Sequence, residues 1–122
     1  AAVECDTCVT IPVTTLDALI AEYGRPAFCK IDVEGFEPDV LAGLSQPIPA
    51  LSFEYIPAAI DGALACIARL GELDDYGYNW SPGERHQLQS EKWLSADEIT
   101  AVLQSLTPAD GSGDVYARLV AS

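Results

Sequence analysis

Acidic side chains crowd one short stretch of the chain, Ala27-Phe28-Cys29-Lys30-Ile31-Asp32-Val33-Glu34-Gly35-Phe36-Glu37. A carboxylate at the rim of a cleft can take a proton from a hydroxyl as that oxygen attacks, or hold a polyol by accepting its hydrogen bonds. Several carboxylates together can instead hold a divalent cation that lowers the pKa of a bound hydroxyl. Asp32 is the first candidate for a base. Glu34 and Glu54 are next, as bases or as acceptors that orient a hydroxyl. A plainer role fits the same residues, because a strand end and the N-terminus of a following helix both favour negative charge.

These acids need an element to carry them. The apolar run before Asp32 reads as a buried parallel strand, and alternation along it puts Lys30, Asp32 and Glu34 on one face. Gly35 permits a sharp turn, and Pro38 suits the first turn of a helix carrying Val40, Leu41 and Leu44. Pro47 and Pro49 then lead into a second strand, Leu51-Ser52-Phe53-Glu54-Tyr55, which also ends near an acid. Strand, helix and strand in so few residues make a right-handed crossover, so the ends bearing Asp32 and Glu54 should point the same way. In an open α/β sheet, ligands gather beyond the carboxyl ends of such strands.

The flanking chain supports an α/β domain. Val9 to Val13, β-branched around Pro12, reads as a short edge strand or an extended lead-in. A helix follows, opened by Thr14 with Asp17, striped by Leu16, Leu19, Ile20 and Tyr23, and stopped by Gly24 and Pro26. Ile60, Leu64, Ile67 and Leu70 mark an amphipathic helix from Ala58 to about Leu73. Tyr76, Tyr78 and Trp80 alternate as a strand that turns at Ser81-Pro82-Gly83-Glu84, and Gln87 to Trp93 reads as another short strand. Ser95 with Glu98 caps a helix through Ile99, Val102, Leu103 and Leu106, and Asp114 to Val120 alternates as the last strand.

Composition narrows the functions. The 122 residues are expected to form a single domain, 1–122, or a piece of one, and their 49% hydrophobic content suffices for a packed core. Nineteen acidic against six basic side chains give a formal net charge of -13, which repels phosphate backbones and argues against a nucleic-acid partner. No apolar run approaches the roughly 20 residues of a membrane span, so no membrane partner is expected and a cytoplasmic location is the default. Cys5 and Cys8 form a Cys-x-x-Cys pair, half of a zinc site or a redox motif, whose other half is missing. His86 stands alone among polar residues. Free thiols in a reducing compartment are the expectation for the cysteines, with a metal or a Cys5–Cys8 disulfide as the alternative.

Read together, Thr15-Leu16-Asp17 with Leu19, the Lys30-Ile31-Asp32-Val33-Glu34-Gly35-Phe36-Glu37 run, Val40-Leu41, Gly43, Glu54 and the Gly113-Asp114-Val115-Tyr116 segment resemble the C-terminal half of an FkbM-type methyltransferase. That resemblance implies a Rossmann-like sheet of strand order 3-2-1-4-5-7-6 whose seventh strand runs antiparallel to its neighbours, with this chain supplying strands 4-5-7-6. It implies S-adenosylmethionine as methyl donor and a hydroxyl of a sugar, lipid or small molecule as acceptor. Asp32 would lie near the cofactor, and Phe36, Glu37 and Tyr55 near the substrate. The glycine-rich cofactor loop has no counterpart here, since Gly111-Ser112-Gly113 precedes a strand instead of following one. Cofactor binding is therefore expected to require a preceding half.

Two rival functions follow from the same residues. One is a non-catalytic interaction module, in which the Cys29–Val33 strand is an exposed sheet edge that pairs with another copy as a homodimer. The other is a glycosidase-like acid pair on a closed barrel, which the chain length opposes because eight βα units need about 200 residues or more. The aromatics Phe36, Tyr55, Tyr78 and Trp80 could wall a substrate site, although aromatics at alternating strand positions usually build a core.

Overall fold

The computed structural model describes residues 2–5, 9–11, 28–32, 45, 47–83 and 87–120. The strands are β1 (Ala2–Cys5), β2 (Val9–Ile11), β3 (Phe28–Asp32), β4 (Ala50–Tyr55), β5 (Tyr76–Pro82) and β6 (Gly113–Leu119), and the described helices are α1 (Asp61–Leu73) and α2 (Ala96–Ser105). They form a mixed α/β sheet in the order β2-β1-β3-β4-β6-β5. β3 and β4 are parallel, β6 runs antiparallel to both β4 and β5, and β1 runs antiparallel to both β2 and β3. The sheet is open, with β2 and β5 as its outer strands, so the closed-barrel alternative is overturned.

The core lies where the helices cover one sheet face. Leu51, Phe53 and Tyr55 of β4 alternate onto that face beside Cys29 and Ile31 of β3, Val115 and Ala117 of β6, and Tyr76 and Tyr78 of β5. Ala63, Cys66, Ile67 and Leu70 of α1 pack against them, as do Ile99 and Leu103 of α2. Burying these side chains is worth roughly 1.5–3 kcal/mol for each large apolar residue, the dominant favourable contribution to the fold. Tyr76 also joins the sheet to the chain before β4: its hydroxyl donates to Ile48 O at 2.6 Å and accepts from Ile48 N at 3.1 Å.

The helix starts follow local chemistry. Pro57 opens a 3-10 turn, Pro57–Ala59, that precedes α1, so the helix expected from Ala58 begins as a tighter turn. The capping box at α2 is complete: Glu98 N donates to Ser95 Oγ at 3.2 Å, and Ser95 N donates to Glu98 Oε1 at 3.0 Å. The helices expected at Thr14–Tyr23 and Pro38–Leu44 lie outside the described residues.

Two strand expectations are corrected. Gln87 to Trp93 is not a strand; with Leu94 it runs along the outer edge of β5, tied by reciprocal backbone bonds between Tyr78 and Leu94 of 2.8 and 2.7 Å. The reason is Asn79, which is fully buried and imitates a backbone pair: its Nδ2 donates to Ser90 O at 2.8 Å, and its Oδ1 accepts from Ser90 N at 3.1 Å and Trp80 N at 3.0 Å. Nor is β3 an exposed edge, because Ala2–Cys5 pairs along it from Ala2 opposite Asp32 to Cys5 opposite Cys29. A homodimer built on that edge loses its template. The expected edge strand around Val9 is present as β2, the outermost strand on that side.

Candidate active site

The parallel ladder sets the position of the leading acids. Its last paired residues are Ile31 and Phe53, so Asp32 and Glu54 are the next residues at the same end of neighbouring strands. Adjacent strands lie about 4.8 Å apart, which brings the two backbones within one strand spacing at a common lip. Glu54 is half-buried. Glu34, Phe36 and Glu37 lie outside the described residues, so the structure speaks only to Asp32, Glu54 and Tyr55 among the candidate residues.

A third acid joins this lip. β6 pairs with β4 so that Glu54 faces Asp114, and Asp114 in turn faces Ser81 of β5. Directly opposed residues of an antiparallel pair have Cβ atoms about 4.5–5.5 Å apart, where like charges repel. Asp114 is half-buried, as Glu54 is. In the sequence Asp114 opens the expected last strand and falls in the Gly113-Asp114-Val115-Tyr116 resemblance; its place beside Glu54 depends on β6 inserting between β4 and β5, which no local pattern announces.

The tyrosines around the lip register this charge. Burial, followed by the nearby charges of Asp114 and Asp110, holds the Tyr55 hydroxyl above its ordinary pKa of 10.0. Burial and Asp114 do the same to Tyr116. Both remain protonated and able to donate throughout the neutral range. Tyr55 is only 2% exposed and belongs to the core, with its ring leaning over Gly113. Tyr78 is equally a core residue, and Trp80 is half-buried against the same cluster. The described aromatics therefore serve chiefly as packing.

At the far end of the sheet an open groove of about 730 Å³ is lined in part by Asp75, Gly77, Trp93, Glu98 and Arg118. The Arg118 guanidinium sits 4.2 Å from the centroid of the Trp93 ring. Arg118 pairs with Ala50, the first residue of β4, so the groove lies at the amino ends of the parallel strands, away from the acids. Among the described residues no group of three or more His, Cys, Asp or Glu side chains could hold a metal ion. No described helix is long and apolar enough to cross a membrane.

The cysteines depart from the free-thiol expectation. Cys66 is buried in α1, and Cys29 is disulfide-bonded. Cys8 and His86 lie outside the described residues.

A mixed α/β sheet with helices packed on it and acids at the carboxyl ends of its parallel strands is compatible with a methyltransferase-like fold. The family model described as the methyltransferase FkbM domain matches residues 4–106, and the chain belongs to that family. No individually curated protein matches it.

Proposed function

We propose that the chain is the C-terminal half of a methyltransferase domain that moves a methyl group from S-adenosylmethionine to a hydroxyl of a sugar, lipid or small molecule. In this reading β3, β4, β6 and β5 are the fourth, fifth, seventh and sixth strands of a Rossmann-like sheet. The supporting observation is the parallel pairing that ends Asp32 and Glu54 side by side, within a chain of the FkbM family.

The donor set suits such a cofactor in its chemistry. Carboxylates at a lip accept hydrogen bonds from ribose hydroxyls and are complementary to a positively charged sulfonium. Asp32 is the residue that would lie against it. When bound, S-adenosylmethionine supplies an activated methyl on a cationic sulfur. The chain's own acids do the rest of the work: Asp32 accepts the acceptor hydroxyl's proton, while Glu34 and Glu54 orient that hydroxyl by accepting hydrogen bonds from its neighbours. Phe36 and Glu37 would contact the acceptor, and Tyr55 would back the site from the core. Asp114, facing Glu54, raises the local negative potential and so favours a protonated, hydroxyl-rich acceptor over an anionic one.

The test is calorimetric titration of S-adenosylmethionine into the 122-residue chain and into a form extended at its N-terminus. Saturable heat from the extended form alone supports the assignment. Absence of binding by both removes it.

A further inference from the structure

The groove beside Trp93 holds a cation in a fixed place. Arg118 of β6 lies opposite Gly77 of β5. A Cβ on Gly77 would stand 3.2 Å from Trp93 Cβ, so the missing side chain is what lets Trp93 lie against β5. From there the indole reaches across to the neighbouring strand and carries the Arg118 guanidinium 4.2 Å from its ring centroid. The next residue, Leu94, is buried and tied to Tyr78 by two backbone hydrogen bonds of 2.8 and 2.7 Å, and Ser95 caps α2, so ordered chain anchors the ring. A cation–π contact uses the charge of a guanidinium and gives its N–H donors no oxygen to bond. Arg118 is exposed, and among the described residues no carboxylate pairs with it. Glu98 instead accepts from Ser95 N and faces Lys92 at 4.0 Å.

We propose that this groove binds a small organic monocarboxylate, whose carboxylate meets the donor fork of Arg118 while its apolar body lies along Leu119 and Val120. The volume of about 730 Å³ is that of a small-molecule site. Val120 is 52% exposed, an apolar surface that such a body would cover. Charge number favours a carboxylate over a phosphate. The chain has a formal net charge of -13, and Asp75 and Glu98 line the same groove, so each further negative charge on a ligand is repelled while the first is held at contact distance. The site does not depend on the methyl-transfer reading, because Arg118 pairs with the first residue of β4 whereas Asp32 and Glu54 stand at the other end of the parallel strands.

Isothermal titration calorimetry of hydrocinnamate into the full chain tests this. The expected result is saturable binding with a Kd of about 1 mM or below, weakened about tenfold or more in Arg118→Gln, weakened also in Trp93→Leu, and tightened in Asp75→Asn. Hydrocinnamamide keeps the apolar body without the charge and should give no saturable heat, and phenethyl phosphate should bind more weakly than the carboxylate. These two comparisons use the unaltered chain, so they decide the matter whatever the variants do to stability. Absence of saturable heat from hydrocinnamate up to about 10 mM, equal binding of the amide, tighter binding of the phosphate, or unchanged affinity in a folded Arg118→Gln protein overturns the proposal.

Discussion

Replacing Gly113 with alanine should be among the most damaging single-methyl changes in this protein. Gly113 begins β6, where it pairs with Tyr55 of β4 and Pro82 of β5. A Cβ there would collide with the Ser81 backbone oxygen and would stand 2.6 Å from Tyr55 Oη and 2.8 Å from Tyr55 Cε2. Neither neighbour yields easily. The Ser81 oxygen belongs to the strand that pairs along the whole of β6, and the Tyr55 ring is 2% exposed in a packed core. Overpacking a core typically costs about 1–3 kcal/mol, and two stiff neighbours put this site near the top of that range. For a domain of this size that is a fall in melting temperature of about 8–15 °C, or a urea midpoint lower by about 1–2 M. Gly62→Ala and Gly71→Ala in α1 provide the contrast, because nothing lies within 4 Å of a Cβ added at either. Both should stabilise by up to about 1 kcal/mol through helix propensity. Urea unfolding followed by circular dichroism measures all three. A Gly113→Ala protein within about 0.5 kcal/mol of wild type would refute the close packing of β4, β5 and β6 at the acid lip.

Three further outcomes follow from separate parts of the fold. Tyr76→Phe removes the partner of both the amide and the carbonyl of buried Ile48 and should cost about 2 kcal/mol or more in the same unfolding assay. The Glu98 carboxyl is held below its ordinary pKa of 4.5, chiefly by its bond with the Ser95 backbone and then by the Ser95 side chain and Lys92. Its contribution is therefore present above that value and lost as pH falls through the lower folded one; Glu98→Gln should flatten the acid limb of a melting-temperature profile relative to wild type. Deleting residues 1–11 removes β1 and β2 and uncovers the β3 edge, so the shortened chain should self-associate in light scattering at concentrations where the full chain does not.

Much of this architecture is visible in the linear pattern because it rests on local chemistry. The Ser95–Glu98 box and the alternating Tyr76, Tyr78 and Trp80 are each written within a few residues, and Asp32 and Glu54 each stand at or near the end of a short apolar run. What escaped was non-local. Ala2–Cys5 has only four residues and no alternation signal, and it becomes a strand because β3 offers it a ladder. Asp114 becomes a neighbour of Glu54 only through long-range pairing of β4 with β6. Ser81 and Pro82 read as a turn, yet β5 runs through both, and the reversal falls at Gly83, whose φ of 58° is left-handed. Gln87 to Trp93 reads as a strand but forms none, because the side-chain amide of Asn79, bonded to the backbone of Ser90 and Trp80, stands in for ladder pairing in a way that no local pattern reveals.

As proposed, Asp32 and Glu54 would form a lip at which a hydroxyl loses its proton during methyl transfer. The most direct test of this proposal is transfer of labelled methyl from S-adenosylmethionine to a panel of sugar and small-molecule hydroxyls, using the N-terminally extended protein and its Asp32→Asn and Glu54→Gln variants. The expected result is turnover by wild type, a loss of about 10²–10⁴-fold in kcat for Asp32→Asn at unchanged melting temperature, and a smaller loss, mainly in KM, for Glu54→Gln. Undiminished turnover by a folded Asp32→Asn protein would contradict it.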